Sequence, residues 1–209
     1  VGSEMCIRDS CMAFAEFEHS DRQRMQNLAY IGFDEGVKAS LFLNGEFYKG
    51  ALGNAGLISS HLLRVESILN HEDTGNLLSI PGTSMLFEKR VQGLDPSVQT
   101  RYADILNATT HRSRFQLILA NAHADMPVCQ NILVDLISVL SAAVADLIYI
   151  IQPNAVVIGG FLGSLPGALY DQLETAIRSQ LPSLISNNLL IQQGTLTSQN
   201  SAAAGAVQY

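Results

Sequence analysis

Two glycine-bearing turns carry most of the chemistry that can be read from this 209-residue sequence. Asp34-Glu35-Gly36 lies between two apolar runs, and glycine at a strand-turn-strand junction lets backbone N–H groups approach phosphate oxygens. Gly159-Gly160 ends the apolar run Ala155–Ile158, where missing side chains leave room for a nucleotide base or ribose. A tight strand-to-helix turn would use the same glycine pair. His61, His71, Glu72 and Asp73 share one polar stretch and could be read as metal ligands, but a solvated polar loop is the favoured reading. There is no Gly-x-Ser-x-Gly and no His-Glu-x-x-His. Cys129 begins an apolar helical run, which suits a small core residue better than a reactive thiol. No catalytic set and no metal site is expected.

These residues need elements to position them. Helical periodicity is expected over Met12–Met25, with Ala13, Phe14, Phe17 and Met25 available to a buried face. Strands are expected over Leu28–Phe33, Val37–Leu43 and Glu46–Tyr48. The last two are joined by Asn44-Gly45, a hairpin signal. A glycine-punctuated loop, residues 50–56, precedes the short apolar run Leu62–Val65, and residues 70–82 are polar and turn-rich. Thr83 is the expected cap of a helix through Phe87–Val91, and further helices are expected over Val98–Leu106 and from Arg114 to Ala124. Pro127 introduces a long helix that must stop before Pro153, because the residue preceding a proline avoids helical geometry. A helix from Pro166 to Leu181 with Ser164 as cap, a strand over Leu189–Gln192 and a helix over Ser198–Val207 complete the pattern. A β-meander followed by helices alternating with strands predicts an α/β architecture with a mixed sheet.

Composition narrows the function classes. Apolar residues make up 47% and charged residues 15% of the chain, which excludes a disordered or coiled-coil protein. Twelve basic against nineteen acidic residues give a net charge of -7, so nothing in this chain draws it to nucleic acid or an anionic membrane. Cys6, Cys11 and Cys129 are too few and too scattered for a disulfide framework or a zinc site, which suits a reducing compartment. The stretch Ile132–Ile151 is long enough to span a bilayer. Asn131, Asp135, Ser138, Ala142, Asp146 and Tyr149 nevertheless fall on one stripe, opposite Leu133, Leu136, Ile137, Leu140, Val144, Leu147 and Ile151. That is an amphipathic core helix, and with no signal peptide a soluble cytoplasmic protein is expected. Residues 1–10 carry no periodic pattern and resemble a translated library adaptor. They are expected to be foreign to the natural protein, whose own N-terminus would lie upstream.

Four segments in order resemble the ROK family, a group of bacterial sugar-responsive repressors and sugar kinases. They are residues 34–50, similar to the family's phosphate hairpin; Gly53-Asn54-Ala55-Gly56, similar to the start of its sugar-contacting segment; residues 152–160, similar to its adenosine-side strand and glycine pair; and residues 201–206, similar to its closing helix. The resemblance covers residues 11–209. It implies one C-terminal lobe of an actin-like ATPase domain with the ribonuclease-H-like fold. It also implies Gly36, Lys38, Gly159 and Gly160 as nucleotide-side positions and Asn54 and His61 as ligand-side positions.

The departures from the family pattern are informative. The hairpin of the kinases is glycine-rich, but after Gly36 this chain carries Lys38 and Ser40. Lys38 could contact a phosphate; an exposed strand lysine is the expectation. Leu57 stands where the family has a sugar-binding glutamate, and His61 falls one position late, so one register shift decides whether it faces the cleft. The family's zinc cysteines are missing between His61 and Gly82, and Leu78 lies near the place of a second sugar-binding glutamate. Asp9 is one residue out of register with the kinases' catalytic aspartate, and that role is not transferred.

The resemblance with these departures implies the effector-sensing region of a ROK-type transcriptional regulator with degenerate sugar and zinc motifs. Its partners would be a sugar effector, DNA through a module upstream of this chain, and further copies of itself in a homo-oligomer. No cofactor is expected. Two other readings stay open: a fragment of an ATP-dependent sugar kinase, and a non-catalytic structural or partner-binding descendant.

Overall fold

The computed structural model describes residues 4–19, 25–53, 55–58, 77–122 and 125–194. The chain forms two compact units, one from Val1–Ile58 with Ser141–Tyr209 and one from Ser59–Leu140.

The first unit is built on a five-stranded mixed sheet. Its strands are β1 (Leu28–Phe33), β2 (Val37–Leu43), β3 (Glu46–Tyr48), β4 (Ala155–Gly160) and β5 (Leu190–Gln193), in the order β3-β2-β1-β4-β5. β1 is antiparallel to β2 and parallel to β4, β2 and β3 are antiparallel, and β4 and β5 are parallel. Strands β1 and β4 read as nearly unbroken apolar runs because they are central and covered on both faces. Helix α1 (Glu4–His19) covers one face: Met12, Ala13 and Phe17 pack with Leu28, Tyr30, Phe42, Ala155 and Val157. Phe17 stacks on Phe42 with ring centroids 4.1 Å apart, and Phe14 meets the same ring edge-on at 5.1 Å.

The β2–β3 turn has φ of 55° at Asn44 and 79° at Gly45, the left-handed pair that matches the twist of a two-residue hairpin. Its tip is tied to the start of β1 and β4 by asparagines. Asn44 N–H donates to Asn27 Oδ1 at 2.9 Å and Asn27 N–H to Asn154 Oδ1 at 3.1 Å, while Asn154 N–H returns to Asn27 O at 2.7 Å.

The described part of the second unit is helical. Helix α2 (Ile80–Gln92) is capped by Ser79, whose Oγ accepts from Gly82 N–H at 3.0 Å. The expected cap, Thr83, lies inside the first turn, where its hydroxyl donates to Leu77 O and Ser79 O. Asp95 caps α3 (Pro96–Gln99), and hydrogen bonds from the Ser97 hydroxyl and amide hold its carboxyl below the usual range. A 3₁₀ turn then leads to α4 (Ala103–Leu106), so the helix expected over Val98–Leu106 is broken in two. Helix α5 (His111–Ala120) begins earlier than expected, because Thr110 and Ser113 form a capping box.

Arg114 joins three of these helices. Its guanidinium donates to Leu106 O at 2.8 Å, Ile105 O at 3.3 Å, Ser84 Oγ at 3.3 Å and Glu88 Oε2 at 2.9 Å. It thereby satisfies carbonyls left open at the end of α4 and places a cation at a helix C-terminus.

Helix α6 (Pro127–Ile151) ends before Pro153, as expected. It is long and apolar enough to cross a membrane by length and composition. Ile132, Leu136, Leu140, Val144 and Ile148 form a stripe of 0–2% exposure, whereas Asn131, Ser138, Asp146 and Tyr149 are exposed, the pattern of an amphipathic core helix. Helix α7 (Gly167–Ser179) has Pro166 at its cap position; Ser164, the expected cap, belongs to the 3₁₀ turn Phe161–Ser164. A short α8 (Ser183–Asn188) was not anticipated. Arg178 on α7 holds it through Ser186 O at 2.7 Å.

Other expectations also change. The first helix ends at His19, so Met25 lies outside it, and residues 4–10 are helical despite their lack of periodicity. The runs Leu62–Val65 and Ser198–Val207 lie outside the described residues.

Two substitutions test these local arguments by urea denaturation. Arg114→Ala should cost roughly 2–3 kcal/mol, since it strips partners from helix-end carbonyls. Gln152 has φ of 47°. Gln152→Gly should therefore stabilise by up to about 1 kcal/mol, the left-handed penalty less the extra freedom of glycine in the unfolded chain.

Candidate functional site

The two glycine turns meet at the ends of two neighbouring interior strands, β1 and β4. Phe33, the last residue of β1, pairs with Val37 on one side and Gly160 on the other. The Asp34–Gly36 turn and the Gly159–Gly160 pair thus sit at the same end of adjacent strands, where ligands bind in open α/β sheets. The turn is tight, with Asp34 N–H donating to Gly36 O at 3.1 Å.

A row across the sheet just inside these strand ends carries almost no side chains. Lys38 is opposite Gly32, and Gly32 is opposite Gly159. Gly194 continues the row, its N–H bonded to Ile158 O at 2.8 Å. The space over the glycines is filled by the protein itself. A Cβ on Gly159 would run into the Tyr30 ring and hydroxyl, and one on Gly194 would lie 3.0 Å from Glu16 Oε1. Tyr30 Oη accepts the Gly160 N–H at 2.8 Å, so a donor that could have served a ligand is already engaged. Gly160 itself has φ 63° and ψ -137°, a region only glycine occupies readily, and a Cβ there would come within 2.8 Å of Phe33 O.

Lys38 is not the exposed strand lysine that was expected: it is 8% exposed. The two-residue period of β2 puts it on the face that carries Tyr30 and Phe42, beneath α1. Ser40 on the same face is 2% exposed, and its Oγ has no hydrogen-bond partner. Glu16 is 4% exposed. Glu16, Tyr30, Lys38 and Ser40 therefore form a polar island within a mostly apolar face. Sequence reasoning missed Glu16 and Tyr30 because nothing local marks them. Tyr30 reaches Gly160 across 130 residues of chain.

Of the ligand-side candidates, Asn54 and His61 lie outside the described residues, as do His71, Glu72 and Asp73. Gly56 O accepts the Ala39 N–H at 2.8 Å, which anchors the segment beside β2, and the following Leu57 is 45% exposed. No group of three or more His, Cys, Asp or Glu that could hold a metal occurs among the described residues. Cys129 is fully buried, and burial pushes its thiol up to about 11.

The family model described as the ROK family matches residues 7–209. The chain belongs to the ROK family. A ROK glucokinase from Streptomyces griseus, solved with glucose and AMPPNP, superposes with a TM-score of 0.69 at 14% identity, over 96% of this chain and 65% of that one. A ROK family transcriptional regulator described as a homologue of the E. coli Mlc protein gives 0.67 at 21% identity, over 95% and 50%. A ROK family protein from Streptococcus pneumoniae, in complex with sucrose, gives 0.65 at 15% identity, over 95% and 63%. These likenesses establish the α/β, actin-like fold of ROK proteins. The chain spans half to about two thirds of the length of these relatives. No curated protein matches it.

The packing over the glycines makes two predictions. Gly159→Ala should cost about 1–3 kcal/mol by forcing Tyr30 aside. Tyr30→Phe should cost about 1–2 kcal/mol by leaving the Gly160 N–H without its partner. Both are read from urea midpoints. Cys129 should resist alkylation in the native chain near neutral pH and react on unfolding. Because its folded thiol is raised above the unfolded value of about 8.5, its contribution to stability is full below that pH and is lost as pH rises toward 11. Melting temperatures of the chain and of Cys129→Ala, compared across that window, measure it.

Proposed function

We propose that this chain is the effector-sensing lobe of a ROK-type transcriptional regulator and that it performs no phosphoryl transfer. The observation that carries this reading is the filled hairpin. Phosphoryl transfer depends almost entirely on positioning a nucleotide's phosphates and neutralising their charge. After Gly36, however, β2 carries Lys38 and Ser40 as buried side chains, and the turn before them bears the carboxylates of Asp34 and Glu35. Neither leaves bare backbone for a triphosphate, and the two carboxylates repel one.

Sensing asks for less. A ligand needs only to bind one of two conformations more tightly than the other. Gly53–Leu57 beside β2 would form part of the ligand side, with Asn54 and His61 contributing. The exposed Leu57 suits an apolar part of a sugar, such as a ring face or an acetyl methyl, better than a hydroxyl. Lys38 would act as a fixed internal charge, and DNA reading would belong to a module outside this chain. A cytoplasmic location follows from that role.

The test is a thermal-shift and turnover screen of the full-length protein with hexoses, N-acetylhexosamines and Mg-ATP. Stabilisation by a sugar, without ATP consumption, is the expected result. Sugar-dependent ATP turnover would overturn the reading in favour of a kinase. Silence toward every sugar would overturn it in favour of a structural descendant.

A further inference from the structure

We propose that Asn44 is a site of spontaneous covalent modification, loss of its side-chain amide, and that the native hairpin holds this reaction in check. Asn44-Gly45 is the only Asn-Gly pair in the sequence. With no side chain on the following residue, the Gly45 nitrogen can approach the Asn44 side-chain carbon freely once the backbone is mobile. The deprotonated Gly45 nitrogen forms a bond to Asn44 Cγ, the Cγ–Nδ2 bond breaks, and ammonia leaves with the transferred proton. Water then opens the resulting five-membered imide at either carbonyl, giving aspartate or isoaspartate. No oxidant or reductant is involved.

The structure exposes the residue and restrains the nucleophile. Asn44 is open to solvent, so water has access. The Gly45 N–H, which must be lost before attack, donates to Gln26 O at 2.8 Å. The Asn44 N–H donates to Asn27 Oδ1 at 2.9 Å, and φ values of 55° and 79° keep both residues in the left-handed region. The tip must therefore open before the ring can close. Opening also releases the side chain of Asn27, whose backbone bonds Asn154 at the starts of β1 and β4. The product matters to the fold. Either form adds a negative charge beside the exposed Glu46, and isoaspartate adds a backbone atom to a turn whose length sets the register Leu43↔Glu46.

The experiment incubates the full chain in mildly alkaline buffer, with and without denaturing urea. Amide-to-acid conversion is followed by mass spectrometry of the tryptic peptide spanning residues 39–49, whose one asparagine is Asn44. Conversion in the folded chain should be slower on the order of tenfold or more, because only the locally open fraction reacts. Asn27→Ala, which removes the acceptor for the Asn44 N–H, should raise the native rate toward the denatured one. Hydrogen exchange at the Gly45 amide supplies a measurement on the unsubstituted chain, and strong protection there is expected. Equal rates with and without urea, no conversion in urea, or an unprotected Gly45 amide would each overturn the proposal.

Discussion

Everything in the first unit depends on the parallel pairing of β1 with β4. Six pairs run from Leu28↔Ala155 to Phe33↔Gly160, joining segments more than a hundred residues apart in sequence. Loop-closure entropy disfavours such contacts, and the two strands offset it by being apolar enough to be buried on both faces. The register is specified at both ends. Asn27 and Asn154 exchange hydrogen bonds where the strands begin, and Gly160 lies against Phe33 where they end. A shift of one residue would exchange the two faces of β4, and in the direction that puts Ile158 in the place of Gly159 it would drive a side chain into the space that the Tyr30 ring fills. Glycine at 159 is thus a packing requirement before it is anything else.

A glycine pair at a strand's end looks like an opening for a nucleotide, but here Tyr30 occupies the space above Gly159 and the Phe33 backbone lies against Gly160. The fold is that of both sugar kinases and regulators, and fold alone does not decide between them. In this chain the strand after Gly36 carries the side chains of Lys38 and Ser40 into the covered face, and the turn before it carries two carboxylates. Lys38 shares its face with Glu16, Tyr30 and Ser40 and belongs to the interior of the unit rather than to its surface.

The helical unit shows the same dependence of structure on satisfied polar groups. Arg114 directs its donors to two backbone carbonyls, a serine and a glutamate, and in doing so fixes where α4 ends and how α2 and α5 are tied to it. Ser79, Asp95 and Thr110 cap the starts of α2, α3 and α5. Thr83 matched the capping preference by residue type. It lost the position because Ser79 precedes Pro81, which suits the first helical turn and so moves the start of the helix upstream.

Elements whose signals are local were legible in the sequence. Short apolar runs bounded by turn residues marked the strands, Asn44-Gly45 marked the hairpin and its second strand, Pro127 and Pro153 bounded the long helix, and the order of elements implied a mixed sheet. The glycine turns were legible as a candidate site because backbone freedom is a property of single residues. Tertiary structure decided the rest: that Lys38 is buried under α1, that Tyr30 rather than a ligand takes the Gly160 N–H, and that Glu16 lies over Gly194. Each of these facts depends on which strand lies beside which and on what packs across the face. Contacts of that kind are made between residues distant in the chain, and no local pattern encodes them.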